Sequence, residues 1–84
     1  MREVKVYSTD VCTLCNSVEN LLNARDIPYE KILLHEDSSE YSELVERTGM
    51  QTMPQVFIGS MLLGGFQETM AADQSGMLAD LLVD

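Results

Sequence analysis

A change of hydrophobic period near residue 10 restricts the fold of this chain more than any other feature. Residues 3–8, EVKVYS, place Val4 and Val6 on one side and Tyr7 on the other, which is the alternation of a β-strand. Residues 8–10 are of turn and N-cap types. The apolar residues after this turn recur at steps of three and four, as on one face of a helix. They are Val11, Leu14, Cys15, Val18, Leu21 and Leu22.

The next segment repeats this change from strand to helix. Residues 29–34, YEKILL, predict a second strand. In the helix predicted after it, Asp37 and Glu40 have the spacing of a capping box, and Gly49 ends the last turn. The two strands and the helix between them form a βαβ unit, so the strands are expected to be parallel.

The second half of the chain predicts a hairpin and a last helical region. Two apolar runs, residues 55–58 and 61–63, flank Gly59-Ser60, a dipeptide that suits a tight turn. Residues 67–83 have helical spacing that is interrupted at Ser75-Gly76. The order β-α-β-α-β-β-α predicts an α/β fold with a four-stranded mixed sheet and helices on both faces.

Composition restricts the class of protein. With 84 residues and 45% hydrophobic residues, we expect one globular domain over residues 1–84. The chain has no apolar run of about 18 residues, and it begins with charged residues, which favours the cytoplasm over a membrane or a secretory route. A net charge of −9 argues against binding to nucleic acid or anionic lipid, and a protein partner would present a basic face.

Cys12 and Cys15 are the only two cysteines, and three roles can be compared. A bridge between them closes a loop of about four residues, which removes little entropy from the unfolded chain. A closed zinc site needs four ligands, and the chain adds only one histidine, His35, which we interpret as a solvated loop residue. Metal binding is therefore not expected, and dithiol redox chemistry is the favoured role.

The position of the pair supports this choice. Cys12 lies where the first helix begins, and unpaired N–H groups with a partial positive charge of about half a unit favour a thiolate there. Cys15 lies three residues later on the same side of the helix, within reach of a mixed disulfide on Cys12. We interpret Cys12 as the attacking thiol and Cys15 as the resolving thiol.

Three motifs together resemble the glutaredoxins. They are CTLC at residues 12–15, TMPQVFIG at residues 52–59 and GGFQET at residues 64–69. The resemblance covers almost the whole chain and implies a thioredoxin-like fold, a three-layer α/β/α sandwich. It also implies a monomer with glutathione-dependent thiol–disulfide oxidoreductase activity, which reduces protein disulfides and glutathione mixed disulfides.

The resemblance further implies a glutathione site. Pro54 is expected to be cis and to lie against the active cysteine, beside a strand edge that pairs with the glutathione backbone. Gly64 and Gly65 would let the ligand approach the backbone, and the N–H groups of Phe66 and Gln67 would receive its γ-glutamyl carboxylate. The implied glutathione-binding residues are Leu14, Thr52, Met53, Pro54, Gly65, Phe66 and Gln67.

Several residues depart from the family pattern. Thr13 and Leu14 stand where proline and tyrosine are usual between the cysteines. Thr9 replaces a frequent lysine, Gln51 a frequent arginine, and Gln67 a usual aspartate. The site has lost cations, so we expect weaker glutathione binding and activation of Cys12 mainly by the helix N-terminus.

Two other functions stay open. Some glutaredoxins bridge a [2Fe-2S] cluster between two protomers, and a proline between the cysteines hinders this, so Thr13 leaves the role open. A related redoxin takes electrons from thioredoxin reductase and supplies ribonucleotide reductase. The residues between the cysteines, Thr-Met-Pro at 52–54 and the ending ADLLVD favour glutathione as the donor.

Overall fold

Four strands and four helices follow one another in the part of the chain that the structure, a computed structural model, describes, residues 2–10 and 12–83. The strands are β1 Val4–Ser8, β2 Glu30–Leu33, β3 Gln55–Ile58 and β4 Met61–Gly64. The helices are α1 Thr13–Ala24, α2 Ser39–Thr48, α3 Phe66–Ser75 and α4 Met77–Leu82. The predicted order is confirmed. Val11, predicted on the apolar face of the first helix, lies outside the described residues.

The strands form one mixed sheet in the order β2-β1-β3-β4. β1 and β2 are parallel, as predicted, and the other two pairs are antiparallel. Ser8 pairs with Leu33, Tyr7 with Gln55, and Val56 with Gly64. One edge of the sheet, called the upper edge below, therefore holds the ends of β1, β2 and β4 and the start of β3.

Helices cover both faces of the sheet. On one face, α1, α3 and α4 pack on the strands through a single apolar cluster. Its buried members are Val4, Val6, Val18, Leu22, Ile27, Val56, Ile58, Ala72, Leu78 and Leu82. On the other face, Leu44 of α2 packs with Leu34 and Phe57, and Tyr7 meets Phe57 edge to face at 5.4 Å. This is the three-layer α/β/α arrangement that the resemblance implied.

The N-terminal cap of α2 differs from the sequence prediction. Ser38, not Asp37, is the N-cap, because its Oγ accepts a hydrogen bond from the N–H of Tyr41 at 3.2 Å. The same hydroxyl donates to the carbonyl of His35 at 2.6 Å, which closes the turn before the helix. A hydroxyl that bonds on both sides of the helix start thus replaces the predicted carboxylate cap.

Two glycines end helices where the sequence predicted. Gly49 closes α2 with φ of 73°, and Gly76 separates α3 from α4 with φ of 81°, a conformation that side chains disfavour. The longest described helix, α1, has 12 residues. Among the described residues, no helix has the length and apolar character needed to cross a membrane.

Candidate active site

The upper edge brings the three sequence motifs together. Cys12 follows the end of β1, Pro54 directly precedes β3, and Gly65 directly follows β4. The antiparallel register of β3 with its two neighbours places these segments at the same edge. Pro54 and Gly65 are in contact, since a Cβ atom built on Gly65 would lie 3.4 Å from the Pro54 carbonyl oxygen.

Cys12 and Cys15 form a disulfide at the start of α1, with their Cα atoms 5.3 Å apart. Cys12 is itself the N-cap of the helix, and its Sγ accepts a hydrogen bond from the N–H of Cys15 at 3.2 Å. The expected cap within residues 8–10 is therefore not used. Cys12 is half-buried, whereas Cys15 is only 2% exposed. An incoming molecule can thus reach the first sulfur more easily than the second.

Two features determine the charge around Cys12, the first turn of α1 and the loop that contains Asp10. The first turn of α1 contains no acidic residue, so its N–H groups face the sulfur without a competing carboxylate. Asp10 is the closest acidic residue before Cys12 in the sequence. Its Oδ2 lies 3.3 Å from Nδ1 of His35. The His35 side chain is 67% exposed, which agrees with the prediction of a solvated loop residue.

The segment before β3 contains the predicted cis bond. The Met53–Pro54 peptide is cis, and Pro54 is buried. Thr52 is exposed, whereas the Met53 side chain packs against the apolar cluster beneath α2. The backbone of this segment, more than the Met53 side chain, is therefore the part that faces the upper edge.

Two side chains hold the preceding loop in place. Nε2 of Gln55 donates to the carbonyls of Met50, at 3.0 Å, and Thr52, at 3.4 Å. Oη of Tyr41 donates to the carbonyl of Gln51 at 3.1 Å. Neither anchor is indicated by the sequence pattern, although a fully buried glutamine in the otherwise apolar strand QVFI is an available signal.

The N-terminus of α3 forms the other side of the upper edge. The helix begins at Phe66, so the N–H groups of Phe66 and Gln67 belong to its first turn and have no carbonyl of a preceding turn to bond. The Phe66 side chain packs against the core, and Gln67 is exposed. The carboxylate of Glu68 accepts a hydrogen bond from the Gly65 N–H at 2.7 Å. Glu68 was not among the predicted site residues.

Gly64 serves a different purpose from the one that the resemblance implied. Its φ is 131°, and a Cβ atom there would lie 2.7 Å from Cβ and Cγ of Glu68. The space beside Gly64 is therefore filled by a side chain of this protein and is not open to a ligand. The glycine is needed so that Glu68 can fold back over the helix start.

Leu14 is exposed, which corrects the helical prediction. The periodicity placed it with the buried face of α1, but it is 49% exposed. The stripe that packs on the sheet runs through Cys15, Val18 and Leu22, and Leu14 lies to one side of it. Its apolar side chain stands in solvent directly beside the disulfide, at the position that the resemblance assigns to the glutathione groove.

The cavities do not all lie at this edge. A groove of about 610 Å³ opens at the opposite end of α1, between Ile27, Leu78 and Leu82, beside the ion pair of Arg25 and Asp73. At the upper edge, a smaller depression of about 290 Å³ lies between residues 9–10 and 34–37. Within the described part of the chain, no cluster of three or more His, Cys, Asp or Glu side chains could hold a metal ion.

Comparison with known sequences gives one consistent family. The model of the glutaredoxin family matches residues 4–63. A glutaredoxin from Ricinus communis is 38% identical over 84 aligned residues, which cover 96% of this chain and 82% of the relative. The match spans both cysteines and the segment before β3.

Comparison with solved structures agrees. The holo form of glutaredoxin C1 from Populus tremula x tremuloides has a TM-score of 0.87 at 33% identity, covering 96% of this chain and 83% of the other. The buckwheat glutaredoxin–glutathione complex has a TM-score of 0.86 at 29% identity, covering 96% and 76%. With the Cys-x-x-Cys disulfide at the start of α1, these matches show that the chain is a thiol–disulfide oxidoreductase and belongs to the glutaredoxin family.

Proposed function

We propose that this protein uses glutathione to reduce protein disulfides and glutathione mixed disulfides. The observation that carries the proposal is the unequal burial of the bonded pair. Cys12 is half-buried and accepts a backbone N–H, whereas Cys15 is 2% exposed. A substrate disulfide therefore meets Cys12 first, and Cys15 acts only from within the protein.

The oxidative half of the cycle is two thiol exchanges. The Cys12 thiolate attacks one sulfur of the substrate disulfide, and the other sulfur leaves as a thiolate. The Cys15 thiolate then attacks Cys12 Sγ, and the second substrate sulfur leaves. The substrate has gained two electrons, and the Cys12–Cys15 bond seen in the structure has formed. Each step uses one chain, so the proposed cycle needs only a monomer.

The reductive half returns the enzyme to the dithiol. A glutathione thiolate attacks Cys12 Sγ, and Cys15 leaves. A second glutathione attacks the mixed disulfide, which produces oxidised glutathione and the free Cys12 thiolate. In the monothiol route, Cys12 alone takes glutathione from a glutathionylated protein, and only this second step follows.

The groove for glutathione lies between the cis-proline segment and the start of α3. The backbone at Thr52 and Met53 would pair with the cysteinyl part of glutathione, and the N–H groups of Phe66 and Gln67 would receive its γ-glutamyl carboxylate. Pro54 and Gly65 form the floor, where the two segments touch. The buckwheat relative has been solved as a complex with glutathione, which supports glutathione as the ligand of this site.

The polar residues around this groove predict modest affinity. Thr9, Gln51 and Gln67 are neutral, and Glu68 places a carboxylate 2.7 Å from the Gly65 N–H, close to where the glutathione carboxylate would bind. Exposed Leu14 offers apolar contact in place of an aromatic ring. We therefore expect the KM for glutathione to be higher than in relatives that have basic residues at positions 9 and 51.

A donor comparison tests the proposal. Reduction of hydroxyethyl disulfide should proceed with glutathione, glutathione reductase and NADPH, and should stay at background with thioredoxin reductase and NADPH. The opposite result would make the protein a redoxin that is served by thioredoxin reductase and supplies a partner such as ribonucleotide reductase. The Cys12→Ser variant is the blank for both arms, because it removes the attacking sulfur while the fold is retained.

A glutathione-ligated [2Fe-2S] cluster is the second candidate function. A cluster shared by two protomers needs one accessible thiolate from each, and half-buried Cys12 fits that requirement, whereas buried Cys15 does not. Bound there, the cluster would supply one-electron chemistry or be delivered to another protein. Reduced protein should be treated anaerobically with iron, sulfide and glutathione, and a protein that stays colourless and monomeric would exclude this function.

A further inference from the structure

A fully buried hydroxyl at the end of β1 has no partner. Ser8 is 0% exposed, and within residues 2–10 and 12–83 its Oγ makes no hydrogen bond. Its backbone is paired in the sheet, since its carbonyl accepts the Leu34 N–H at 2.8 Å. A buried hydroxyl without a hydrogen-bond partner lowers the free energy of unfolding by about 1–3 kcal/mol, so a serine at this position needs an explanation.

The order of the buried side chains on β1 and α1 indicates that this hydroxyl lies at the Cys15 end of the helix. The strand and the helix run in opposite directions, because β1 and β2 are parallel neighbours. The buried side chains of β1 toward α1 are Val4, Val6 and Ser8. Those of α1 are Leu22, Val18 and Cys15, in the matching order. The three side chains of β1 span about 13 Å along the strand and those of α1 about 10 Å along the helix, so the two sets have similar lengths. Ser8 therefore corresponds to Cys15, as Val6 does to Val18.

Cys15 needs such a partner when the disulfide opens. A thiol that attacks Cys12 Sγ breaks the S–S bond, and the electron pair of that bond stays on Cys15 as a thiolate. Cys12 is half-buried and has the Cys15 N–H beside it, but Cys15 is 2% exposed and cannot be solvated by bulk water. A buried anion without a hydrogen-bond donor is strongly disfavoured.

We propose that the Ser8 hydroxyl donates a hydrogen bond to the Cys15 sulfur in the reduced protein and in the step that opens the disulfide. Ser8 is thus a positioning residue that stabilises the leaving thiolate until it takes a proton from solvent. In this oxidised structure Ser8 Oγ makes no hydrogen bond to Cys15 Sγ, so the bond forms only when the disulfide opens and the Cys15 sulfur moves away from Cys12. The proposal rests on thiol exchange at Cys12, as proposed above, and adds a residue to it.

The test measures the Cys12–Cys15 disulfide against dithiothreitol, which needs no glutathione groove. Ser8→Ala should lower the equilibrium constant for reduction about three- to tenfold, a potential about 15–30 mV more negative. The rate of reduction should fall about tenfold. Ser8→Thr keeps the hydroxyl and should restore both values. Ser17→Ala is the matched control, because Ser17 lies on the same helix as Cys15 and its Oγ already donates a hydrogen bond to the Thr13 carbonyl.

Unfolding of both redox forms distinguishes this role from a packing role. Ser8→Ala should destabilise the reduced form only, since removing an unpaired hydroxyl is neutral or favourable in the oxidised form. Equal destabilisation of both forms, or an unchanged equilibrium and rate, would overturn the proposal. If the alanine variant does not fold, Ser8→Val compared with isosteric Ser8→Thr gives the same readout. A negative result here with intact glutathione-dependent turnover would leave the proposed function in place.

Discussion

The N-termini of α1 and α3 meet at the same edge of the sheet but are capped in opposite ways. At α1 the cap is the sulfur of Cys12, and the first turn contains no acidic residue. At α3 the cap is internal and anionic, because Glu68 folds back over Gly64 to bind the Gly65 N–H at 2.7 Å. Both ends present N–H groups and a positive partial charge.

The difference separates the two tasks of the site. The end of α1 is kept free of carboxylates, so its positive end acts on the one atom that must become negative. The end of α3 already satisfies the Gly65 N–H with its own carboxylate, and the proposed function assigns the N–H groups of Phe66 and Gln67 to the glutathione carboxylate. The residue at the third helical position therefore decides how much of the positive end of a helix is left for a reactive sulfur or for an anionic ligand.

The largest effect is expected from removing the capping sulfur of α1. Cys12→Ser keeps a capping oxygen and should fold, but both disulfide reduction and deglutathionylation should fall at least about 1,000-fold. Turnover with hydroxyethyl disulfide and with a glutathionylated peptide measures this. Substantial remaining activity would mean that Cys15, and not Cys12, attacks the substrate.

A smaller effect is expected from replacing Cys15, the buried partner of Cys12. Cys15→Ser should reduce protein disulfides at least about tenfold more slowly, because the mixed disulfide on Cys12 is no longer resolved from within. Deglutathionylation should be largely retained, since that route uses Cys12 alone. Loss of both activities to the same extent would show that the assigned roles are wrong.

An acidic residue in the first turn of α1 would make it resemble α3. Thr13→Glu should lower the thiolate fraction of Cys12 at neutral pH and slow its alkylation by iodoacetamide about two- to fivefold. Thr13→Gln has nearly the same size without the charge and is the control. Equal rates in the two variants would show that the helix end does not activate the sulfur.

The reciprocal change neutralises the cap of α3. Glu68→Gln keeps a side chain that can bond the Gly65 N–H but removes its charge, so the KM for glutathione should fall about two- to threefold. Glu46→Gln, on exposed α2 surface, changes net charge equally and controls for the overall field. A KM that falls as much in the control would assign the effect to net charge.

The smallest effect is expected from the ion pair that joins α1 and α3 at the end away from the upper edge. The Arg25 guanidinium binds Asp73 at 2.8 and 3.0 Å and holds the pKa of that carboxyl below its ordinary value. A carboxyl with a lowered pKa in the folded state stabilises the fold above its ordinary pKa and loses that contribution as pH falls through the folded value.

Asp73→Asn should therefore melt slightly lower than the parent at pH 7, and the difference should shrink as the pH falls below the ordinary pKa of an aspartate. Thermal melts across this range measure the difference. Turnover at pH 7 should be unchanged, because the pair lies away from both capped helix starts. A constant difference at all pH values would indicate a packing effect instead.

Local sequence patterns were enough for the elements and for the two sulfurs. Alternation in residues 3–8, the Gly59-Ser60 turn and Gly49 each depend on neighbours a few residues apart, and the structure has a strand, a hairpin and a helix end there. The α2 cap shows the limit of such patterns. Adjacent Asp37 and Ser38 are both good caps, and only the tight turn to His35 selects the serine.

The parts that could not be predicted depend on tertiary contacts. Leu14 and Cys15 are both apolar and adjacent, and only docking of α1 on the sheet decides that one is exposed and the other buried. Tyr41 reaches a carbonyl ten residues away, a contact that no local period encodes. Glu68 fills the space beside Gly64, where the sequence shows only a pair of glycines.

The hydrogen bond from the Cys15 N–H to Cys12 Sγ, at 3.2 Å, has a spectroscopic consequence. The amide proton of Cys15 senses the charge on the reactive sulfur directly. Its ¹H and ¹⁵N chemical shifts should change when that sulfur passes between disulfide, thiol and thiolate, and its exchange with solvent should be slowed in proportion to the strength of this bond. A single backbone resonance can therefore report the redox and ionisation state of the enzyme without an attached chromophore or other reporter group.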